Sequence, residues 1–140
     1  MMEITNLTNQ KIDEALLQEV AAKAFSIVGE DGLEDLSLVL TDDDKIQDLN
    51  KKYRNKDKVT DVLSFEELNE IFICLPEAQR QARLLKTSLK LELTRLLVHG
   101  IVHLKGYDHE KSEREAERMF ALEKKIFEKI DGENKKTACQ

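Results

Sequence analysis

Tryptophan is absent from this chain, proline occurs once, and only two cysteines are found in 140 residues. Cys74 and Cys139 are far apart and form no CxxC arrangement, which excludes a disulfide framework and a thiolate zinc site. Both are expected to be reduced thiols. No apolar run approaches the roughly 20 residues that span a bilayer. The first residues, "MMEITNLTNQ", have neither the basic start nor the apolar centre of an export signal, so a soluble, cytoplasmic protein with no membrane association is expected. Basic residues are outnumbered by acidic ones, 22 against 28, for a net charge of −6. That balance argues against indiscriminate coating of nucleic acid, which depends on neutralising phosphates with Lys and Arg. With aromatic residues at 5%, extensive base stacking is excluded as well. There is no repeat and no Pro/Gly/Ser-rich linker, so residues 1–132 are expected to form one domain, followed by a disordered tail, "ENKKTACQ", at 133–140.

What is present patterns into short elements. "MEITNL" suggests an edge strand. Ile12, Leu16, Val20, Ala24 and Ile27 recur at helical spacing up to Gly29 or Gly32. Residues 35–41 alternate as a strand. "TDDDKIQDLNKKYR" opens on acids and closes on bases, as the helix dipole favours. "VTDVLSF" (59–65) and "EIFIC" (70–74) are β-branched and apolar and suggest a hairpin. From Pro76 a single long helix is expected, with Ala78, Ala82, Leu85, Leu89, Leu93 and Leu96 on one face. A last helix carries Met119, Leu122, Ile126 and Ile130 and is assigned to packing, with no evident chemistry. The order β-α-β-α-β-β-α-α predicts an α+β domain: a small mixed sheet of about four strands with helices packed against it.

All three histidines fall within "HGIVHLKGYDH", residues 99–109. His99 and His103, four apart on a helix, lie one turn above each other and can reach one ion. On a continuous helix His109 would lie about 15 Å beyond His99, out of reach of a shared metal. Gly106 can take positive φ and stop the helix, letting "YDH" fold back and bring His109 to a third corner. Three imidazoles with an open fourth position suit a catalytic zinc ion at the end of the long helix, although another divalent transition metal fits the same ligands.

The spacing H-x3-H-x2-G-x2-H is that of metzincin peptidases, but Gly100 stands where those enzymes carry their general-base glutamate, which disfavours peptide hydrolysis. A phosphodiester is the alternative electrophile, because a guanidinium can grip its oxygens beside a metal. The basic run "KKYRNKDK" at 51–58 supplies candidates: Arg54 for catalysis, and Lys52, Lys56 and Lys58 for substrate binding. On its own this run reads equally well as a solvated helix end.

Two stretches together, "HGIVHLKGYDH" preceded by "LELTRLLV", and "LNKKYRNKDKVTDVLSF", resemble the signature regions of the YbeY family, bacterial zinc-dependent endoribonucleases of ribosomal RNA maturation. The resemblance implies that His99, His103 and His109 bind zinc, and that Arg54 is the family's functional arginine. It also implies a single-strand-specific endoribonuclease that processes small-subunit rRNA, takes part in ribosome quality control and meets ribosomal proteins. Three positions depart from the family pattern. Val59 replaces the usual Pro, Phe65-Glu66 replaces Phe-Pro, and Asn69-Glu70 replaces Gly-Asp before the next strand. A non-catalytic ribosome-assembly or RNA-binding factor with a structural zinc is the competing reading, and a metallopeptidase the remote one.

Overall fold

A computed structural model of the chain describes residues 1–106 and 112–138, with side chains as far as residue 131. Its strands and α-helices are β1 (Glu3–Asn6), α1 (Glu14–Val28), β2 (Ser37–Thr41), α2 (Asp43–Arg54), β3 (Val62–Phe65), β4 (Glu70–Cys74), α3 (Leu75–Leu84), α4 (Leu89–Leu104) and α5 (Glu113–Ala138), with a 3-10 turn at Glu66–Leu68 between β3 and β4. The strands form a four-stranded mixed sheet in the order β1-β2-β4-β3. β1 and β4 run parallel to β2, while β3 pairs antiparallel with β4, Ser64 lying opposite Ile71. The α+β class, the mixed sheet and the hairpin are therefore as the sequence predicts.

Period-two alternation divides the interior. On β4, Ile71 and Ile73 join the main core with Leu17, Phe25, Leu97, Ile101 and Ile126, from α1, α4 and α5. Phe72 and Cys74 face the other way, toward Ile46 of α2 and Leu63 of β3. Each large side chain buried in this way contributes roughly 1.5–3 kcal/mol of transfer free energy.

Helix ends follow local chemistry. Asp42 caps α2, accepting from the Lys45 N–H at 2.9 Å, and Asn55 closes it in the left-handed region. Gly29 closes α1 at φ +114°. The single long helix expected from Pro76 is instead two, α3 and α4. Lys86 takes φ +55°, its N–H donating to Arg83 O and that of Thr87 to Ala82 O, a paired closure usually built on glycine. Ser88 then starts α4, its side chain accepting from the Leu91 N–H. Leu85, read as part of the apolar stripe, is 63% exposed. Because lysine rather than glycine occupies the turn, the break has no compositional mark. Helix α5 is described to Ala138, which takes in most of the 133–140 stretch expected as a tail; Cys139 lies outside the described residues.

One departure from the YbeY pattern has a local explanation. Asn69, where that pattern has glycine, sits at φ +53°, a conformation Asn tolerates better than other side-chain-bearing residues. Its Nδ2 donates to Gly32 O at 2.7 Å, tying the β3–β4 loop to the α1–β2 loop.

Candidate functional site

Helix α4 crosses the sheet at Gly100. A Cβ there would lie 3.0–3.1 Å from Ile71 and 3.2 Å from Ser64 Oγ, so any residue larger than glycine would have to push these neighbours aside by a few tenths of an ångström. Ser64 Oγ donates to Gly100 O at 3.2 Å, tying edge strand β3 to the helix. Gly100, where a peptidase would carry its general-base glutamate, is here packing surface against Ile71 and Ser64.

With α4 fixed there, His99 and His103 come to the rim of β3, their ring centroids 4.7 Å apart and their planes at 81°. Both line a cavity of about 330 Å³ whose remaining wall includes Arg54, Lys56, Lys58, Asp61 and Ser64. The structure thus brings together five of the residues singled out from sequence, joining the end of α2 to the end of α4. Lys52 does not line this cavity; its ammonium stands 5.2 Å from the Tyr53 ring centroid on α2. His109, with Tyr107 and Asp108, lies outside the described residues. Helix α4 does stop where the spacing requires it: it ends at Leu104, and Gly106 takes φ +91° with its N–H donating to His103 O at 2.9 Å.

Arg54 is exposed, but its guanidinium is anchored at two points. Its Nη2 donates to Ser64 O at 2.8 Å, and its guanidinium carbon sits 5.7 Å from the Phe65 ring centroid, within cation–π range. Phe65 in turn packs edge-on between Tyr53 and Phe72. A guanidinium has five N–H donors, so one bond to a carbonyl leaves capacity for a bidentate grip on phosphate.

The Asp61 carboxylate on the cavity wall is braced. Asp61 accepts from the Val62 N–H at 2.8 Å through Oδ1 and from Gln81 Nε2 at 3.1 Å through Oδ2. Gln81 accepts from Arg95 at 3.0 Å, and Arg95 is paired with Glu92, a carboxylate 1% exposed. The hydrogen bond to Glu92 raises the Arg95 pKa against the opposing effect of burial, with smaller contributions from the charges of Glu92, Asp61 and Glu123. This chain of contacts places one paired cation, its side chain 44% exposed, one helical turn before His99.

Sequence reasoning missed Glu123. Helix α5, assigned to packing alone, brings its Oε1 to 2.6 Å from His99 Nδ1. A signal was present: Glu123 falls between Met119 and Ile126 at four- and three-residue spacing, on the helix face that is buried. An acid on an apolar stripe requires a partner, and His99 is it.

The donor chemistry on this wall suits a metal such as zinc: two imidazoles side by side, one with its Nδ1 engaged by a carboxylate in the way metal-binding histidines commonly are. Among the described residues no group of three His, Cys, Asp or Glu side chains could hold a metal ion, and the third proposed donor falls in the undescribed 107–111.

The family model described as endoribonuclease YbeY matches residues 3–131. Relatives named endoribonuclease YbeY include one from Aquifex aeolicus, 43% identical over 136 residues, covering 91% of this chain and 90% of the relative. Another, from Sulfurihydrogenibium sp., is 41% identical over 132 residues, covering 87% of this chain and 86% of the relative. The solution structure of a Thermotoga maritima protein superposes with a TM-score of 0.64 at 31% identity, covering 98% of this chain and 93% of that one.

Proposed function

The chain belongs to the endoribonuclease YbeY family, and on that premise we propose that it is a zinc-dependent endoribonuclease cutting single-stranded RNA. Its substrate is ribosomal RNA of the small subunit, cut during maturation and quality control in the cytoplasm, with ribosomal proteins as neighbours. The observation that carries this reading is the cavity that sets Arg54, Lys56 and Lys58 against His99 and His103 in a protein of net charge −6. A basic wall confined to one cavity binds a phosphate backbone locally, and an unpaired strand is flexible enough to enter it. No helix among the described residues is long and apolar enough to cross a membrane.

His99 and His103, with His109, are the residues to hold zinc. Bound there, the ion would act as a Lewis acid at the scissile phosphate. Arg54, steadied by Ser64 O and Phe65, orients that phosphate through its outward N–H groups. Lys56 and Lys58 hold the flanking phosphates, and Lys52, outside the cavity, meets the strand where it leaves. Buried Ile71 and the Ser64–Gly100 bond keep the imidazole wall at a set distance from the arginine wall.

The test is cleavage of a labelled single-stranded RNA by the purified chain before and after chelation, alongside a duplex of the same sequence and the variants His99→Ala and Arg54→Ala. Loss of cutting on chelation, its return with added zinc, and inactivity of both folded variants support the reading. A wild-type chain that binds RNA and never cuts it, with or without zinc, is an assembly factor instead.

A further inference from the structure

Glu123 and His99 are 24 residues apart in sequence and meet at 2.6 Å. Their side chains are 20% and 27% exposed, so the contact is largely shielded from water, where a charge-assisted bond counts for more. Met119, Ile126 and Ile130 anchor α5 in the core on either side of Glu123, which fixes the approach of its carboxylate. The Arg95 guanidinium, one turn before His99 and paired with Glu92, sets a positive charge near the same carboxylate.

An ionised carboxylate can only accept, so a neutral imidazole facing it through Nδ1 carries its proton there, and Nε2 holds the lone pair. We propose that Glu123 is a positioning residue of the metal site: it holds His99 in the Nδ1–H tautomer and turns Nε2 into the zinc donor. This inference rests on the zinc reading above and adds to it a residue from a helix outside both signature stretches. Through the hydrogen bond the carboxylate also makes the ring a stronger base toward the metal. The contact links the packing of α5 to the chemistry of α4, so the last helix carries more than apolar surface.

The experiment uses the full chain, metal-free, as wild type, Glu123→Ala, Glu123→Gln and His99→Ala. Nitrogen NMR of the ring at alkaline pH reads the tautomer, and competition with a chromogenic chelator reads zinc affinity. Wild type should show a protonated Nδ1 at His99. Glu123→Ala should shift the ring toward the Nε2–H form and weaken zinc binding about 10- to 100-fold, with His99→Ala weaker still. Glu123→Gln, which keeps an acceptor oxygen, should retain the tautomer and most of the affinity. A wild type that binds zinc, beside a folded Glu123→Ala with the same tautomer and the same affinity, overturns this inference alone. A wild type without zinc affinity overturns the zinc reading and this inference together.

Discussion

Arg54 Nη2 donates to the backbone carbonyl of Ser64, 2.8 Å away, while the hydroxyl of the same serine donates to Gly100 O at 3.2 Å. One residue of an edge strand thereby sets the separation between the arginine at the end of α2 and the histidines of α4. Under the proposed function the two walls have separate tasks, which can be tested separately.

Replacing Arg54 by alanine should lower kcat/KM for single-stranded RNA by about 10²-fold, the scale of losing one preorganised donor to a developing charge. Zinc content and thermal unfolding should remain near wild type. Lysine at 54 should recover little, because a point charge cannot reproduce the bidentate fork. Steady-state cleavage kinetics and metal analysis on the same preparations check this.

Gly100→Ala puts a methyl group 3.0–3.1 Å from Ile71 and 3.2 Å from Ser64 Oγ. Overpacking of this kind costs about 1–3 kcal/mol. Urea denaturation should show the loss, and a second change, Ile71→Val, should return part of it by removing the Cδ1 contact. If Gly100→Ala is as stable as wild type, helix and sheet are not pressed together here.

At position 69 the backbone is left-handed, φ +53°, and the side chain donates to Gly32 O. Asn69→Ala loses the hydrogen bond and adds strain, together about 2 kcal/mol. Asn69→Gly loses only the bond and should cost less than the alanine variant. Chemical denaturation of the two variants side by side gives the ordering.

Burial pushes the Cys74 thiol up to about 12, and the Asp43 carboxylate accepting from Sγ at 3.3 Å adds to the effect. In a Cys139→Ser background, the native chain should therefore leave a disulfide reagent unreacted at pH 8, where the thiolate is scarce and buried. Full reaction should appear only on adding denaturant. Rapid labelling of the native protein would contradict the packing of β4 against α2.

Arg80 grips Asp43 with two bonds, at 2.6 and 3.2 Å, and this hydrogen bonding holds the Asp43 carboxyl below its usual 3.8 against the opposing effect of burial. A folded value that is depressed means the contribution is complete above about pH 3.8 and is lost as the pH falls through the lowered value. The stability gap between wild type and Arg80→Ala, measured by denaturant titration, should be open at neutral pH and should close in acid.

Much of this was legible in the chain because its causes are local. The acids that open α2 and the bases that close it, the β-branched apolar run "EIFIC", and the glycine three residues after His103 all act over a few residues, and all appear where the sequence indicates. The break between α3 and α4 was not legible. Lys86 adopts a conformation that glycine usually marks, and the Leu85 that seemed to continue the apolar stripe is exposed.

By itself, then, the sequence determined which imidazoles share a helix face and where that helix stops, since both depend on backbone periodicity and the φ freedom of one glycine. Only the tertiary structure decided that Arg54, Lys56 and Lys58 stand across a cavity from His99 and His103, and that Glu123 reaches His99 from another helix. Those meetings depend on how closely α4 can approach β3 and β4 at Gly100 and on how the buried face of α5 seats in the core. Such contacts between residues distant along the chain are set by packing, and no local pattern encodes them.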